Sequence, residues 1–167
     1  PSMVSAHSVL KHRNGPTEVR FYLDKMTPHA RAWAARLGEA FPEARVTVDS
    51  IDLPEGRVGH YWTYATYGRL LLREKVGRRV LYLDGDTMTF ADIGPLYRAR
   101  LRGRPAAGVL DYPVERMQAY RRRGRDPLAR EPWLPGKLTR LEHLLDLDSY
   151  INTGVLLLDY GNPAHDE

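Results

Sequence analysis

The chain has 167 residues, 43% hydrophobic and 28% charged, with a formal net charge of +4. That size suits one domain over residues 1–167 with a core of its own, and the composition excludes disordered and fibrous classes. The absence of cysteine excludes a disulfide framework and thiolate metal sites, and no apolar stretch approaches the ~20 residues that cross a bilayer.

Helix and strand signals alternate along the chain. Val4 and Val9, among small residues, predict a short helix stopped by Asn14-Gly15-Pro16. Residues 19–23 alternate as a strand. Thr27 is suited to cap a helix with Pro28 at its first position. The apolar spacing of Ala30, Trp33, Ala34, Leu37 and Phe41 continues that helix and places Trp33 in the core. Residues 45–48 read as a second strand, followed by a loop marked by proline and glycine. A helix is expected over about 61–76, with Trp62 on its core face, then a strand over 80–83. Residues 92–101 read as helix and 106–110 as strand. Residues 113–136 form a polar segment without periodicity, expected to be a mobile loop. A short helix over 137–145 and a strand over 150–158 complete the pattern. This alternation predicts an α/β fold with a largely parallel sheet.

The apolar strand at 80–83 empties into Asp84-Gly85-Asp86. On an extended backbone, i and i+2 place both carboxylates on one face. Two like charges ~4 Å apart at an effective dielectric of ~20 repel by roughly 4 kcal/mol, so the pair needs solvent, a shared proton or a cation. Oxygen ligands favour Mg2+ or Mn2+ over zinc, and such a cation would hold a phosphate. The plainer alternative is an Asp-Gly turn after a core strand. Ligands of open α/β sheets bind beyond the carboxyl ends of strands, where this pair falls.

Four segments together resemble glycosyltransferase family 8, the nucleotide-sugar enzymes that include glycogenin and bacterial lipopolysaccharide galactosyltransferases. They are Thr66-Tyr67-Gly68-Arg69-Leu70; Val80-Leu81-Tyr82-Leu83-Asp84-Gly85-Asp86; Val109-Leu110-Asp111-Tyr112-Pro113-Val114-Glu115-Arg116; and Tyr150-Ile151-Asn152-Thr153-Gly154-Val155-Leu156-Leu157-Leu158. The resemblance implies a GT-A fold and a metal-dependent hexosyltransferase that moves sugar from UDP to a carbohydrate or lipopolysaccharide-type glycolipid acceptor with retention of configuration. It implies that Asp84 and Asp86 chelate Mn2+ (or Mg2+), with Asp84 also near the donor ribose, and that Gly85 lets the backbone approach the nucleotide. Arg69 would face the donor, while Asp111 and Asn152, with Thr153 beside them, would hydrogen-bond its sugar. Each has a plainer reading: a surface arginine for Arg69, a cap for Asp111, a strand-edge turn for Asn152. The resemblance also implies that the family's opening strand with its uracil-binding turn, and its later carboxylate and histidine ligand, lie outside these 167 residues. His165 is not assigned as a ligand, and no residue is assigned as catalytic.

Arg121, Arg122, Arg123 and Arg125 form the strongest charge run. It reads as a solvated loop, with a lid over the acceptor or a contact with anionic lipid headgroups as functional alternatives. Nucleic acid is not expected, because no paired aromatic platform accompanies the run. Trp133, between prolines, is a candidate for an acceptor groove. The absence of cysteine, of a secretory signal and of a spanning segment fits a cytoplasmic location, and the arginine run is the candidate for membrane association. Two other classes compete: a haloacid dehalogenase-type phosphatase built on the Asp-x-Asp strand end, and a non-catalytic sugar-nucleotide-binding remnant.

Overall fold

The computed structural model describes residues 2–52, 57–58, 62–63, 68–76, 78–125 and 149–165. In chain order these form α1 (Ser2–His12), β1 (Thr17–Leu23), α2 (Pro28–Ala40), β2 (Ala44–Ser50), β3 (Arg57–Val58), β4 (Trp62–Thr63) and α3 (Gly68–Val76). They continue as β5 (Arg79–Leu83), α4 (Gly94–Tyr97), β6 (Ala106–Leu110), α5 (Tyr112–Arg122), β7 (Ile151–Asp159) and a 3-10 turn, Pro163–His165. The expected helix at 137–145 and Trp133 lie outside the described residues.

Local chemistry sets several boundaries. Gly15, at φ +123°, turns the chain between α1 and β1, a conformation that suits glycine. Thr27 caps α2 by accepting a hydrogen bond from the Ala30 N–H at 3.1 Å, with Pro28 in the first turn, as its sequence predicts. Trp33 is nevertheless 42% exposed, contrary to expectation. The buried stripe of α2 is narrow, limited to Ala34 and Leu37, and Trp33 lies off it, donating its indole N–H to His29 and lying under the Arg36 guanidinium.

Three further expectations are corrected. Of the helix expected over 61–76, the described part is α3 from Gly68, while Trp62-Thr63 pairs with Arg57-Val58 as a short antiparallel ladder. An aromatic followed by a β-branched residue favours a strand. The helix expected over 92–101 is the four-residue α4. Past Tyr97 the arginine-rich stretch offers no apolar stripe, and it turns through Arg102 at φ 51° and Gly103 at φ 80°. The loop expected over 113–136 begins as helix α5, through Arg122. Asp111 is its N-cap, Pro113 stands in its first turn, and Val114 and Met117, at i and i+3, supply its buried face.

The strands form three sheets. β1 and β2 pair in parallel, and β7 runs between β5 and β6, antiparallel to both. β5 and β6 therefore run in the same direction, as strand–helix–strand alternation predicts, but they are not neighbours. Parallel pairing is confined to β1–β2, so the sheet is not largely parallel among the described residues, and β5 pairs there only with β7. The central place of β7 explains its unbroken Leu156-Leu157-Leu158, all buried: a strand covered on both faces reads as a continuous apolar run.

Two apolar clusters hold these layers. Ala6, Leu10, Phe21 and Leu37 join α1 and α2 to one face of β1–β2. Ile51, Leu72, Leu156, Leu158 and Tyr160 join α3 to the β5–β7–β6 sheet, and Tyr22 of β1 packs against this second cluster. Because neighbouring strand residues face opposite ways, Phe21 and Tyr22 place β1 between the two clusters.

Candidate functional site

The antiparallel course of β7 brings the site together. Leu83 pairs with Val155 and Leu110 with Ile151, so the carboxyl end of β6 meets the first residue of β7 and that of β5 its middle, four residues on. The residue after each end is an aspartate. The Asp84 N–H donates to the Gly154 carbonyl at 2.8 Å, and the Asp111 N–H to the Tyr150 carbonyl at 3.0 Å.

Side chains extend this junction. Asp111 caps α5, accepting from the Val114 N–H at 3.4 Å on one carboxylate oxygen. Its other oxygen accepts from the Asn152 amide at 3.3 Å. The Asn152 carbonyl oxygen in turn accepts from the Gly154 N–H at 2.9 Å. A Cβ on Gly154 would lie 3.1 Å from Asn152 Oδ1 and 3.2 Å from Asp84 Oδ2. The glycine thus lets Asp84 and Asn152 approach the same point, a role that glycine in a strand commonly serves. Asp111 is both the cap of the plainer reading and a member of the cluster.

Arg69 enters from α3. Its guanidinium donates to the Thr153 carbonyl and lies 5.2 Å over the centre of the Tyr82 ring. Tyr160 fixes the Arg69 backbone, its hydroxyl donating to the carbonyl at 2.7 Å. Tyr82 donates its own hydroxyl to Asp84 Oδ1 at 2.6 Å. Arg69, Asp84, Asp111, Asn152 and Thr153 therefore meet through direct contacts, with Tyr82, Gly154 and Tyr160 as members that the sequence reading missed. Tyr82 was legible, since it stands two residues before Asp84, on the same strand face.

Burial, then the hydrogen bond to Asp84, raises the Tyr82 hydroxyl pKa well above its ordinary value of 10.0; burial raises that of Tyr160 as well. A folded pKa above the unfolded one contributes stability that is complete below the unfolded value and is lost as pH rises toward the folded value. Stability should therefore fall above about pH 10, and Tyr82→Phe should shrink that fall, leaving the part due to Tyr160. Urea midpoints at about pH 9 and about pH 11 measure it; an equal drop in both proteins refutes the assignment.

The carboxylate pair departs from its expected local geometry. β5 ends at Leu83, and Gly85 and Asp86 lie in a turn closed by the Thr87 N–H to the Asp84 carbonyl at 3.1 Å. The i, i+2 rule for extended chain therefore does not set where the two side chains point. Asp84 is half-buried and Asp86 exposed. A Cβ on Gly85 would fall 2.2 Å from Ser2 Oγ, so this glycine makes room for α1. Among the described residues no group of three or more histidine, cysteine or acidic side chains is placed to hold a metal. Two carboxylates such as Asp84 and Asp86 would leave a hard cation to complete its shell with substrate phosphates and water, rather than in an all-protein cage.

The sequence matches the family described as Glycosyl transferase family 8 over residues 1–162. The chain belongs to glycosyltransferase family 8. It is 27% identical over 173 aligned residues to a probable galacturonosyltransferase-like protein of Arabidopsis thaliana, covering 95% of this chain and 42% of that one. Its fold is similar to the bifunctional glycosyltransferase WbbM (TM-score 0.70, 17% identity, 99% of this chain and 30% of that one). It is also similar to the galactosyltransferase LgtC, solved with donor and acceptor sugar analogues (TM-score 0.65, 24% identity, 96% of this chain and 54% of that one). The fold is GT-A, and this family 8 chain spans about half or less of the length of the relatives it matches. Membership sets aside the phosphatase reading of Asp84-Gly85-Asp86. Among the described residues no helix is long and apolar enough to cross a membrane.

Proposed function

We propose that the protein is a metal-dependent, retaining hexosyltransferase that uses a UDP-sugar and a carbohydrate or lipopolysaccharide-type glycolipid acceptor. The observation that carries this reading is the meeting of Arg69, Asp84, Asp111 and Asn152, drawn from four separate elements, at the ends of β5, β6 and β7. Core packing gives no reason for a cation, two carboxylates and an amide to gather where water reaches them. A sugar diphosphate does, because its phosphates need positive charge and its hydroxyls need short polar partners.

In this reading Arg69 neutralises diphosphate charge, held in place by the Tyr82 ring and the Thr153 carbonyl. Asp111 and Asn152, already oriented by each other, present hydrogen-bonding groups to the sugar hydroxyls. Asp84 and Asp86 hold Mn2+ or Mg2+, which when bound supplies Lewis-acid stabilisation of the departing UDP. The LgtC structure, with its donor and acceptor sugar analogues, supports a two-substrate site of this kind. The exposed Arg121, Arg122, Arg123 and Arg125 at the end of α5 suit contact with anionic headgroups at a cytoplasmic membrane surface. Equal co-sedimentation with neutral and anionic vesicles refutes that contact.

UDP release from UDP-hexoses, with and without Mn2+, tests the main reading. Metal-dependent release that an acceptor sugar accelerates is expected. UDP binding without turnover on any hexose donor would make the protein the non-catalytic remnant instead.

A further inference from the structure

We propose that α1 acts as a strut that fixes the Asp84–Asp86 turn through directed hydroxyl hydrogen bonds, and thereby sets metal and donor affinity. The proposal rests on reading Asp84 and Asp86 as the metal-holding pair.

Ser2, Ser5 and Ser8 recur every third residue of α1, which keeps them near one face of the helix. Ser5 and Ser8 are buried at 5% and 7% exposure, and hydroxyls this buried need partners. Their partners lie across the fold, in the loop that follows the aspartates. Ser5 Oγ is 3.0 Å from Thr87 Oγ1, and Ser8 Oγ is 3.1 Å from Thr89 Oγ1. The Thr89 N–H also donates to Ser8 Oγ at 3.0 Å. At the helix start, Ser2 Oγ occupies the space that a Cβ on Gly85 would need.

Counting protons gives these contacts a direction, because each hydroxyl has one to donate. Thr87 donates its own to the Asp84 carbonyl at 2.8 Å, so in the Ser5–Thr87 pair the donor is Ser5. Ser8 donates to the Ser5 carbonyl at 2.7 Å, so in the Ser8–Thr89 pair the donor is Thr89. One relay therefore runs from Ser5 through Thr87 to the Asp84 backbone, and a second runs back from Thr89 through Ser8 to α1. Relays of this kind polarise and strengthen one another in a low-dielectric setting. The far side of α1 is anchored independently, by Ala6 and Leu10 in the cluster with Phe21 and Leu37. Apolar side chains of similar size would fill the same space yet let the turn slide; hydroxyl pairs do not. For a cation held by only two carboxylates, the position of that turn governs affinity.

The test is calorimetric titration of the intact protein with Mn2+ in the presence of UDP, joined to hydrogen exchange at the Thr89 amide. Ser5→Ala and Ser8→Ala should each weaken Mn2+ binding roughly fivefold to tenfold, the effect of about one hydrogen bond. Ser8→Ala should also accelerate exchange at Thr89. Leu10→Ala, which lowers global stability but keeps every hydroxyl pair of the folded state, should lower Tm and leave Mn2+ affinity within about twofold. In a Thr87→Val background Ser5→Ala should add nothing, since that relay is already cut. Should Ser8→Ala fail to fold, the Ser5 and Thr87 pair carries the same test. Unchanged affinity in the serine variants, while Asp86→Ala loses the metal, overturns the strut and leaves the site reading intact. An equal loss in Leu10→Ala, or full additivity of Ser5→Ala with Thr87→Val, overturns it as well. An Asp86→Ala protein that binds Mn2+ as the unaltered chain does removes the site reading and the strut with it.

Discussion

Asp86→Ala is expected to abolish metal-dependent sugar transfer while leaving the fold intact. Asp86 is exposed, and among the described residues no contact holds its carboxylate, so its removal costs little packing or hydrogen bonding. Asp84 is a poorer probe, because it also accepts the Tyr82 hydroxyl and closes the turn through its carbonyl. A single remaining carboxylate holds Mn2+ weakly against its hydration. The loss should be at least about a hundredfold in kcat, the scale seen when one electrostatic stabiliser of a transition state is removed. Turnover of a UDP-hexose with Mn2+, beside a circular dichroism melt, measures both sides. Near-normal turnover in a folded variant rules out the metal role of Asp86.

The sequence revealed the elements more clearly than their arrangement. Strand β6 was legible to the residue, and α2 was marked by its threonine cap, its proline and its apolar spacing. Pairing was not legible, because alternation of helix and strand specifies direction and says little about neighbours. Insertion of β7 between β5 and β6 is a tertiary outcome; its only local trace is the unbroken run of three buried leucines. Helix α5 was missed although Asp111, Pro113, Val114 and Met117 form a start signal, because the apolar period lasts less than two turns before the arginines begin. The i, i+2 argument for the carboxylates assumed extended chain past Leu83, where Gly85 instead makes a turn.

The site was legible for a different reason. Its named residues came from a resemblance to family 8, and the geometry supplies the physical ground for their meeting. Once β7 lies antiparallel between two strands of common direction, the residues that follow β5 and β6 fall beside the first half of β7, which carries Asn152. Asp84, Asp111 and Asn152 occupy those positions. Tyr82 and Gly154 lie inside the resembling segments, yet the α1 serines carry no motif. The roles of these serines are visible only through the partners they meet, more than 80 residues away for Ser5 and Ser8.

Arg69→Ala is expected to raise the KM for a UDP-sugar roughly thirtyfold, with a smaller change in kcat. Its guanidinium is held by the Thr153 carbonyl and the Tyr82 face, and its backbone by Tyr160. Such a preorganised cation loses little freedom when a diphosphate arrives, so most of its attraction appears as affinity. A hydrogen bond to a charged group contributes about 2 kcal/mol, which corresponds to roughly thirty in a dissociation constant. The fold should tolerate the change: the Thr153 carbonyl belongs to an exposed residue that water can satisfy, and the Tyr160 bond to the Arg69 carbonyl survives. Arg69→Lys should fall between the two, because it keeps the charge but loses the planar stack on Tyr82 and the fixed fork of donors. Added salt should narrow the gap between the natural chain and Arg69→Ala, since the term lost is electrostatic and partly exposed. An unchanged KM in a folded Arg69→Ala protein would reduce Arg69 to a tie between α3 and β7. A Lys variant as impaired as the Ala variant would show that the planar fork and stack matter, and that charge alone does not.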